Sequence, residues 1–235
     1  MNDYRYEGNE LDVFAHAVRW KNYFGSKFKP YIGQRVAEVG AGIGATTPIL
    51  CAGEQETWLC IEPDEGLRQQ IDEKIQLGKL PACCHTTSSY VRDLGEDQVF
   101  DTILYIDVLE HIQDDAIELA EAGNHLVQGG VIVVLSPAHQ FLYSKFDQAI
   151  GHFRRYNRKS ITDITPSFLL AEQLYYLDSV GMMTSLVNRF ILKQEKPSIS
   201  QILFWDRFIL PISRWVDFLT GFRLGRSIIC IYRKK

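Results

Sequence analysis

The sequence predicts an α/β protein built on a doubly wound, mostly parallel, seven-stranded sheet. Short apolar, β-branched runs alternate with segments of helical periodicity along most of the chain, which is the pattern of βαβ units. A glycine-rich stretch joins the first predicted strand to a helix start. Hydrophobic residues make up 46% of the chain and charged residues 23%, and 235 residues are enough for one domain with a full core.

The glycine-rich stretch follows a predicted strand, Arg35–Val39, and opens into a helix start at Thr47. Its three glycines occupy every second position, so the backbone can turn sharply with no Cβ between main chain and ligand. A strand, a glycine loop and a helix in this order form a nucleotide-binding turn. With Ala45 the stretch also satisfies the dinucleotide fingerprint G-x-G-x-x-G/A, so the loop alone leaves a nicotinamide-dependent oxidoreductase open.

Two acidic residues favour a different ligand. Glu38 lies two residues before the first glycine, where a carboxylate suits a cationic ligand and would repel a pyrophosphate. Glu62 ends the next predicted strand, 18 residues beyond Gly44, where a ribose diol needs a carboxylate acceptor.

Three stretches, Glu38–Thr47, Glu62–Asp64 and Asp107–His111, together resemble the class I S-adenosylmethionine-dependent methyltransferases. At motif level the resemblance covers Arg35 to Gln128. It implies S-adenosylmethionine as the cofactor and a last strand that runs antiparallel beside strand six. The cofactor-binding residues expected from the glycine loop, the strand ends and the resemblance are Glu38, Gly40, Ala41, Gly42, Gly44, Glu62, Pro63, Thr87, Ser88, Asp107 and Val108.

The remaining elements follow in order. Helices are predicted at Leu11–Phe28, Asp64–Leu77, Ile112–Gln128, Ile161–Leu170 and Ser198–Thr220, the last broken at Pro211. Strands are predicted at Arg35–Val39, Thr57–Glu62, Pro81–Thr87, Val99–Ile106, Val131–Leu135, Glu172–Gly181 and Ser227–Tyr232. We interpret residues 1–235 as a single methyltransferase domain with an N-terminal helical lid (1–34), a cofactor-binding core (35–136), an acceptor loop (137–160) and a helical insertion (183–222).

The acceptor loop is rich in side chains that can do chemistry. A base is needed if the acceptor arrives protonated, and the expected catalytic residues are His111, His139, Asp147 and His152, with Asp147 and His152 as one candidate pair. The expected substrate-binding residues are Tyr143, Arg154, Arg155 and Tyr156. We expect one of the two arginines to pair with a local acid such as Asp147 or Asp163 and the other to face the substrate. The stretch Gly151–Tyr156 resembles a subgroup associated with cell-envelope glycan or lipid-linked sugar pathways.

Net charge and the pattern of apolar residues limit the classes of partner that this protein is expected to bind. The net charge of −4 argues against a dedicated nucleic-acid binder. Residues 189–235 carry ten Lys/Arg against three Asp/Glu, so this region could meet an anionic substrate or a membrane surface. Segment 198–220 has an apolar and a polar face, which fits a helical cap buried on the domain or in a dimer, or a membrane-surface segment. We expect a cytoplasmic protein, with contact to the inner face of the membrane left open.

No metal ion is expected. The five cysteines, at 51, 60, 83, 84 and 230, show no zinc-binding spacing and are interpreted as buried free thiols. Asp114 and Asp115 could suggest magnesium, but acids at a helix N-terminus explain them better.

The leading hypothesis is methyl transfer to an oxygen or nitrogen of a small or amphiphilic acceptor, sugar-containing ones included. The alternative is a cofactor-binding interaction module without catalysis.

Overall fold

The computed structural model describes residues 10–187 and 198–235. The helices are α1 (Glu10–Ala15), α2 (Val18–Phe28), α3 (Thr47–Leu50), α4 (Glu65–Gln76), α5 (Asp115–Asn124), α6 (Lys145–Ala149), α7 (Arg158–Asp163), α8 (Ser179–Val187), α9 (Ile199–Phe204) and α10 (Leu210–Leu219). The strands are β1 (Arg35–Val39), β2 (Thr57–Ile61), β3 (Cys84–Thr87), β4 (Phe100–Ile106), β5 (Leu126–Pro137), β6 (Leu169–Leu177) and β7 (Ser227–Lys234).

The seven strands form one sheet in the order β3-β2-β1-β4-β5-β7-β6. The pairs from β3 to β5 are parallel, whereas β7 is antiparallel to both β5 and β6. The chain order reverses between β1 and β4, and ligands of doubly wound sheets bind outside the carboxyl ends of the strands at such a switch point. The predicted fold class, including the antiparallel last strand preceded by C-terminal helices, is confirmed.

Each face of the sheet is covered by its own apolar core. On one face, Trp20, Phe24 and Phe28 of α2 pack with Trp58, and Trp205 and Leu210 join the same core. On the other face, α5 contributes Leu119 and Ala122 and the acceptor loop contributes Tyr156. The central strands β4 and β5 are almost wholly buried, as expected for strands covered on both sides.

Several predicted boundaries were wrong, for local reasons. The first helix is divided at His16 and Ala17, and the amino group of Lys21 donates to the carbonyls of Phe14 and Ala15 at the end of α1. The helix predicted to reach Gln128 ends at Asn124, and β5 begins before the two glycines. Gly129 has φ +76° and lies where the β4–β5 register shifts. The glycines therefore make an irregularity within a strand instead of ending a helix.

The segment after the acceptor loop also differs from its prediction. Helix α7 begins at Arg158 because the Asn157 side chain caps it by accepting from the amide of Ser160. The helix ends at Asp163, and β6 begins at Leu169, earlier than expected. Asp178, at φ +64°, turns the chain from β6 into α8.

The C-terminal helices α9 and α10 bury several polar side chains and expose most of their large apolar ones. A π-helical turn, Trp205–Ile209, joins α9 to α10, so Pro211 lies in the first turn of α10 and does not separate two helices. The polar side chains of Asp206, Ser213 and Asp217 are buried. The apolar side chains on the outer face are exposed, and they are Phe204, Phe208, Ile212, Trp215, Phe218 and Leu219.

Buried acids of these helices satisfy the ends of other helices. Asp206 accepts from the amides of Arg19 and Trp20 in the first turn of α2. Asp217 accepts from the amides of Asp178 and Ser179 at the start of α8. Amides of a first helical turn have no partner within their own helix, so these carboxylates replace local caps. This role explains why acidic side chains are buried on the inner face beside Trp205 and Leu210.

Candidate functional site

The glycine loop between β1 and α3 has the conformation that its sequence requires. Gly40, Gly42 and Gly44 have φ of +62°, +58° and +66°, a region that residues with a Cβ rarely adopt. A Cβ on Gly40 would lie 2.6 Å from the Val108 side chain. The loop can therefore lie this close to the end of β4 only because residue 40 is glycine. The amides of Gly40 and Ala41 donate to the Ile61 carbonyl, which fixes the loop against the end of β2.

Glu38 is buried at the base of this loop, 3% exposed. Its Oε2 accepts from the Thr47 hydroxyl at 2.8 Å and from the Trp58 indole N–H at 2.9 Å. Burial raises the pKa of Glu38 to about 7, against the opposing effect of these two hydrogen bonds. The structure therefore gives Glu38 a clear supporting role in holding the start of α3 and strand β2 around the loop.

Glu62 joins the glycine loop to the end of β2. Its carboxylate accepts from the amide of Gly42 at 2.8 Å and from the amide of Asp64 at 3.0 Å, and burial raises its pKa. The amide of Glu62 donates to the carbonyl of Thr87 at the end of β3. The Ser88 hydroxyl reaches the carbonyl of Pro63 at 3.4 Å. The expected ribose-side and adenine-side residues thus meet at the carboxyl edge of neighbouring strands.

Asp107 follows β4 at the same edge. Its φ is +54°, a strained value for a residue other than glycine, and its amide donates to the Leu135 carbonyl. The side chain is accessible to solvent, yet the surrounding protein disfavours its charge and raises its pKa to about 6. The turn at Asp107 thus places this residue at the carboxyl edge of the sheet, next to the strand that carries the glycine loop.

A buried ionic cluster lies under the acceptor loop. The Asp147 carboxylate accepts from both Nε and Nη2 of Arg155 at 2.7 and 2.9 Å. It also lies 3.0 Å from Nδ1 of His152, and these partners hold its pKa well below the usual range despite burial. Nε2 of His152 lies 3.8 Å from Oε1 of Glu110. The candidate pair Asp147–His152 is therefore formed, with Arg155 as its anchor.

Glu110 is the residue of this cluster that sequence reasoning missed. It is 0% exposed, and burial raises its pKa well above the usual range, with the nearby Asp107 carboxyl adding to the effect. Oε2 accepts from the Ser136 hydroxyl at 2.9 Å, while Oε1 has no hydrogen-bond partner among residues 10–187 and 198–235. Its place between Asp107 and His111 in the sequence motif was the available signal.

His111 meets His152 edge to face, with ring centroids 4.5 Å apart. Burial lowers the pKa of His111 to about 4, and the neighbouring His152 lowers it further, against a hydrogen bond to the Gly151 backbone. At neutral pH the imidazole of His111 is therefore uncharged.

His139 lies apart from this pair. Its ring is stacked between Phe141 and Tyr176, with centroid distances of 5.1 and 4.7 Å. Its backbone φ is +66°, and burial lowers its pKa. Nε2 of His139 is buried and has no hydrogen-bond partner in the part of the chain that the structure describes.

The four expected substrate-binding residues are all engaged within the protein. Tyr143 donates to the His152 carbonyl at 2.6 Å. Arg154 pairs with Asp115, and Arg155 pairs with Asp147, so each arginine has an acidic partner. Tyr156 is 1% exposed, and its hydroxyl bonds to Asp115 at 2.7 Å. The expected pairing of one arginine with Asp147 is formed by Arg155, and Arg154 is also paired, with Asp115. That one arginine faces the substrate stays a prediction.

Helix α1 lies between the two halves of the site. The side chain of Leu11 is 3.5 Å from the position that a Cβ on Gly42 would occupy. Phe14 is near Phe146 of α6 in the acceptor loop, with ring centroids 6.4 Å apart. The helix expected to form a lid thus contacts both the glycine loop and the acceptor segment.

Comparisons with known proteins agree with this geometry. Residues 37–134 match the family profile described as a methyltransferase domain. A search of the curated proteins gives no match. Among solved structures, coclaurine N-methyltransferase bound to N-methylheliamine and SAH shares 12% identity over 93% of this chain and 72% of its own, with a TM-score of 0.62.

Two further structures extend the comparison. Magnesium protoporphyrin IX methyltransferase from Synechocystis PCC 6803, with bound SAH, shares 11% identity, covers 100% of this chain and 90% of its own, and has a TM-score of 0.60. The [4+2]-cyclase SpnF shares 11% identity over 99% of this chain and 84% of its own, with a TM-score of 0.63. At these identities the likeness establishes the fold, and one such fold carries a different activity.

Proposed function

We propose that this methyltransferase-domain protein uses S-adenosylmethionine to methylate an oxygen or nitrogen of a small or amphiphilic acceptor. Sugar-containing acceptors of cell-envelope glycan or lipid pathways are included, on the resemblance of Gly151–Tyr156. The observation that supports this proposal most directly is that a left-handed glycine loop, Glu62 and Asp107 lie together at the carboxyl edge of the sheet, at the β1–β4 switch point.

The residues of this crevice fit S-adenosylmethionine. When bound, that cofactor supplies a methyl group already activated on a positively charged sulfur. The glycine loop offers close backbone approach, and Glu62 would accept from the ribose hydroxyls. Thr87 and Ser88 would flank the adenine, while Asp107 and Val108 would lie beside the methionine end. The carboxyl groups of Glu38, Glu62 and Asp107 around the loop suit a positively charged donor better than a pyrophosphate.

The general base is drawn from the His111–His152 pair. His111 is uncharged at neutral pH, and its ring contacts that of His152. Asp147 fixes the orientation of His152 through Nδ1, and Arg155 fixes Asp147. A proton leaving the acceptor could pass to this pair, with the buried carboxyl of Glu110 next to His152.

The acceptor enters between the acceptor loop and helix α1. His139 contributes an unpartnered Nε2 between two aromatic rings, a site where a hydroxyl or amide of the acceptor could donate. Tyr143 holds the backbone of His152, and Arg154 and Tyr156 share Asp115 below the loop. These contacts keep the acceptor loop rigid, so that it can align the nucleophile with the methyl group.

The exposed apolar face of the C-terminal helices supports the proposal that the acceptor is amphiphilic. Trp215 and Leu219 are 73% and 77% exposed, and the face also carries Phe208. Arg207 and Arg214 are exposed between these apolar side chains. An apolar face flanked by cations fits the surface of an anionic membrane. Among the described residues no helix is long and apolar enough to cross a bilayer.

Calorimetry with S-adenosylhomocysteine tests the proposal. Wild-type protein should bind it, and Gly42→Val should abolish binding because a side chain at φ +58° strains the loop. Gly78→Val is the matched control, since Gly78 has φ +65° and open space around its Cβ position. Absence of binding by wild-type protein would remove the proposal. Binding without turnover of any acceptor would favour the alternative, a non-catalytic interaction module.

A further inference from the structure

Three cysteines from two separate segments of the chain lie together near the start of β3. Cys51 follows α3, Cys84 begins β3 and Cys83 precedes it. The sulfur of Cys51 lies 3.5 Å from that of Cys83 and 3.8 Å from that of Cys84. All three sulfurs lie within 4.8 Å of one another.

We propose that Cys51, Cys83 and Cys84 form a binding site for a thiophilic d¹⁰ cation, with Zn²⁺ as the reference ion. Zinc–sulfur bonds of about 2.3 Å in a tetrahedron place the sulfurs about 3.8 Å apart. The sulfur of Cys51 lies 3.5 and 3.8 Å from the other two sulfurs, close to that edge. The site is distinct from the proposed methyl-transfer crevice and goes beyond that function.

The convergence of three thiols is the observation that favours an ion over a disulfide. A disulfide would use two of the sulfurs and leave the third without a role. Ordinary burial also explains the cluster poorly, because Cys60 and Cys230 are buried as single thiols elsewhere in the two cores.

The surroundings leave room for a fourth ligand. Cys51 and Cys84 are buried, whereas Cys83 is half-buried, so the cluster is open on the Cys83 side. Oε1 of Gln55 lies 3.5 Å from the sulfur of Cys51. An ion held by the three thiolates would therefore take Gln55 or a water molecule as its fourth ligand.

The cluster is connected to the base of the crevice. The amide of Cys51 donates to the Thr47 carbonyl, and the Thr47 hydroxyl donates to Glu38. The carbonyl of Cys83 accepts from the Trp58 amide, and the Trp58 indole donates to Glu38. An ion at the three sulfurs would tie together the two segments that hold Glu38.

Titration of the reduced full-length protein with Cd²⁺ tests the site through the thiolate-to-cadmium ultraviolet absorption. We expect one Cd²⁺ per chain, displaced competitively by Zn²⁺. Loss of a partner outside the ligand set costs about 10–100-fold in metal affinity, so Cys83→Ser should weaken Cd²⁺ binding at least tenfold. Because Cys83 is half-buried, this variant should fold, and circular dichroism would verify it.

Cys230→Ser is the matched control, since Cys230 is a single buried thiol in the other core. It should bind Cd²⁺ like the wild type. The proposal is overturned if the reduced wild type shows no stoichiometric absorption, or if Cys83→Ser and Cys230→Ser bind equally. It is also overturned if binding survives in the double variant Cys51→Ser/Cys83→Ser.

Discussion

The indole N–H of Trp58 donates to Oε2 of Glu38 at 2.9 Å, beneath the glycine loop. The sequence places these residues on consecutive strands, and their parallel pairing brings them to the same face of the sheet. The bond makes Glu38 part of the framework of the crevice as well as a source of negative potential. Since the pKa of Glu38 is raised to about 7, this potential should vary with pH near neutrality.

Glu38→Gln should flatten the pH dependence of stability. A carboxyl whose folded pKa lies above its unfolded value loses stability as pH rises from about 4.5 to about 7. The wild type should therefore lose up to about 3 kcal/mol relative to the variant across this range. Urea unfolding of both proteins between pH 4.5 and 8 measures the difference. A difference that does not vary with pH would contradict the raised pKa.

His111 should titrate in the acidic range in the folded protein. Its pKa is lowered to about 4, so the ring should stay neutral well below pH 6.5, and folding should lose stability as pH falls from about 6.5 towards 4. Two-dimensional NMR of the imidazole carbons follows this directly, with the exposed His85 as an internal reference. In His152→Asn the His111 pKa should rise, because the electrostatic effect by which His152 lowers it is removed. Titration of His111 near 6.5 in the wild type would exclude its proposed state.

Asp217→Ala should destabilise the fold strongly. The substitution leaves the Tyr23 hydroxyl and the amides of Asp178 and Ser179 without their acceptor in a buried place. Each unsatisfied buried group costs about 1–3 kcal/mol, so we expect a loss of about 3 kcal/mol or more in urea unfolding. Asp163→Ala, which removes an exposed pair with Lys159, should cost about 0.5 kcal/mol or less. Equal effects of the two substitutions would refute the capping role of Asp217.

The outer face of α9 and α10 should bind anionic vesicles. Co-sedimentation with phosphatidylglycerol vesicles should exceed that with phosphatidylcholine, and Trp215 emission should shift to the blue. Burial of one large apolar side chain contributes about 1.5–3 kcal/mol, so Trp215→Ser should weaken binding by roughly tenfold or more. Ile117→Ser is the control, because Ile117 is 62% exposed on α5, which packs on the other face of the sheet. A dimer that covers this face and ignores vesicles would contradict the proposal.

The fold class and the edge of the sheet that carries the proposed cofactor site could both be predicted from the amino-acid sequence. Alternating apolar strands and helical segments encode βαβ units locally, and the spacing of Gly40, Gly42 and Gly44 encodes a left-handed loop. Parallel strands bring their carboxyl ends to one edge, so Glu62 and Asp107 could be placed from sequence position alone. The division between apolar and polar faces of segment 198–220 was also readable from periodicity.

The contacts between side chains of distant segments became visible only in the folded protein. Glu110 lies beside His152, and both arginines of the acceptor loop find acids, because the loop folds back across the end of β4. The three clustered cysteines have no telling spacing in the sequence, yet α3 and β3 bring them into contact. Periodicity states which face of a helix is apolar, but it does not state which face turns inward. In this protein the inner face carries Asp206 and Asp217, whose carboxylates accept hydrogen bonds from amides at the starts of α2 and α8. These bonds join segments that are far apart in the chain, so periodicity within one helix does not reveal them.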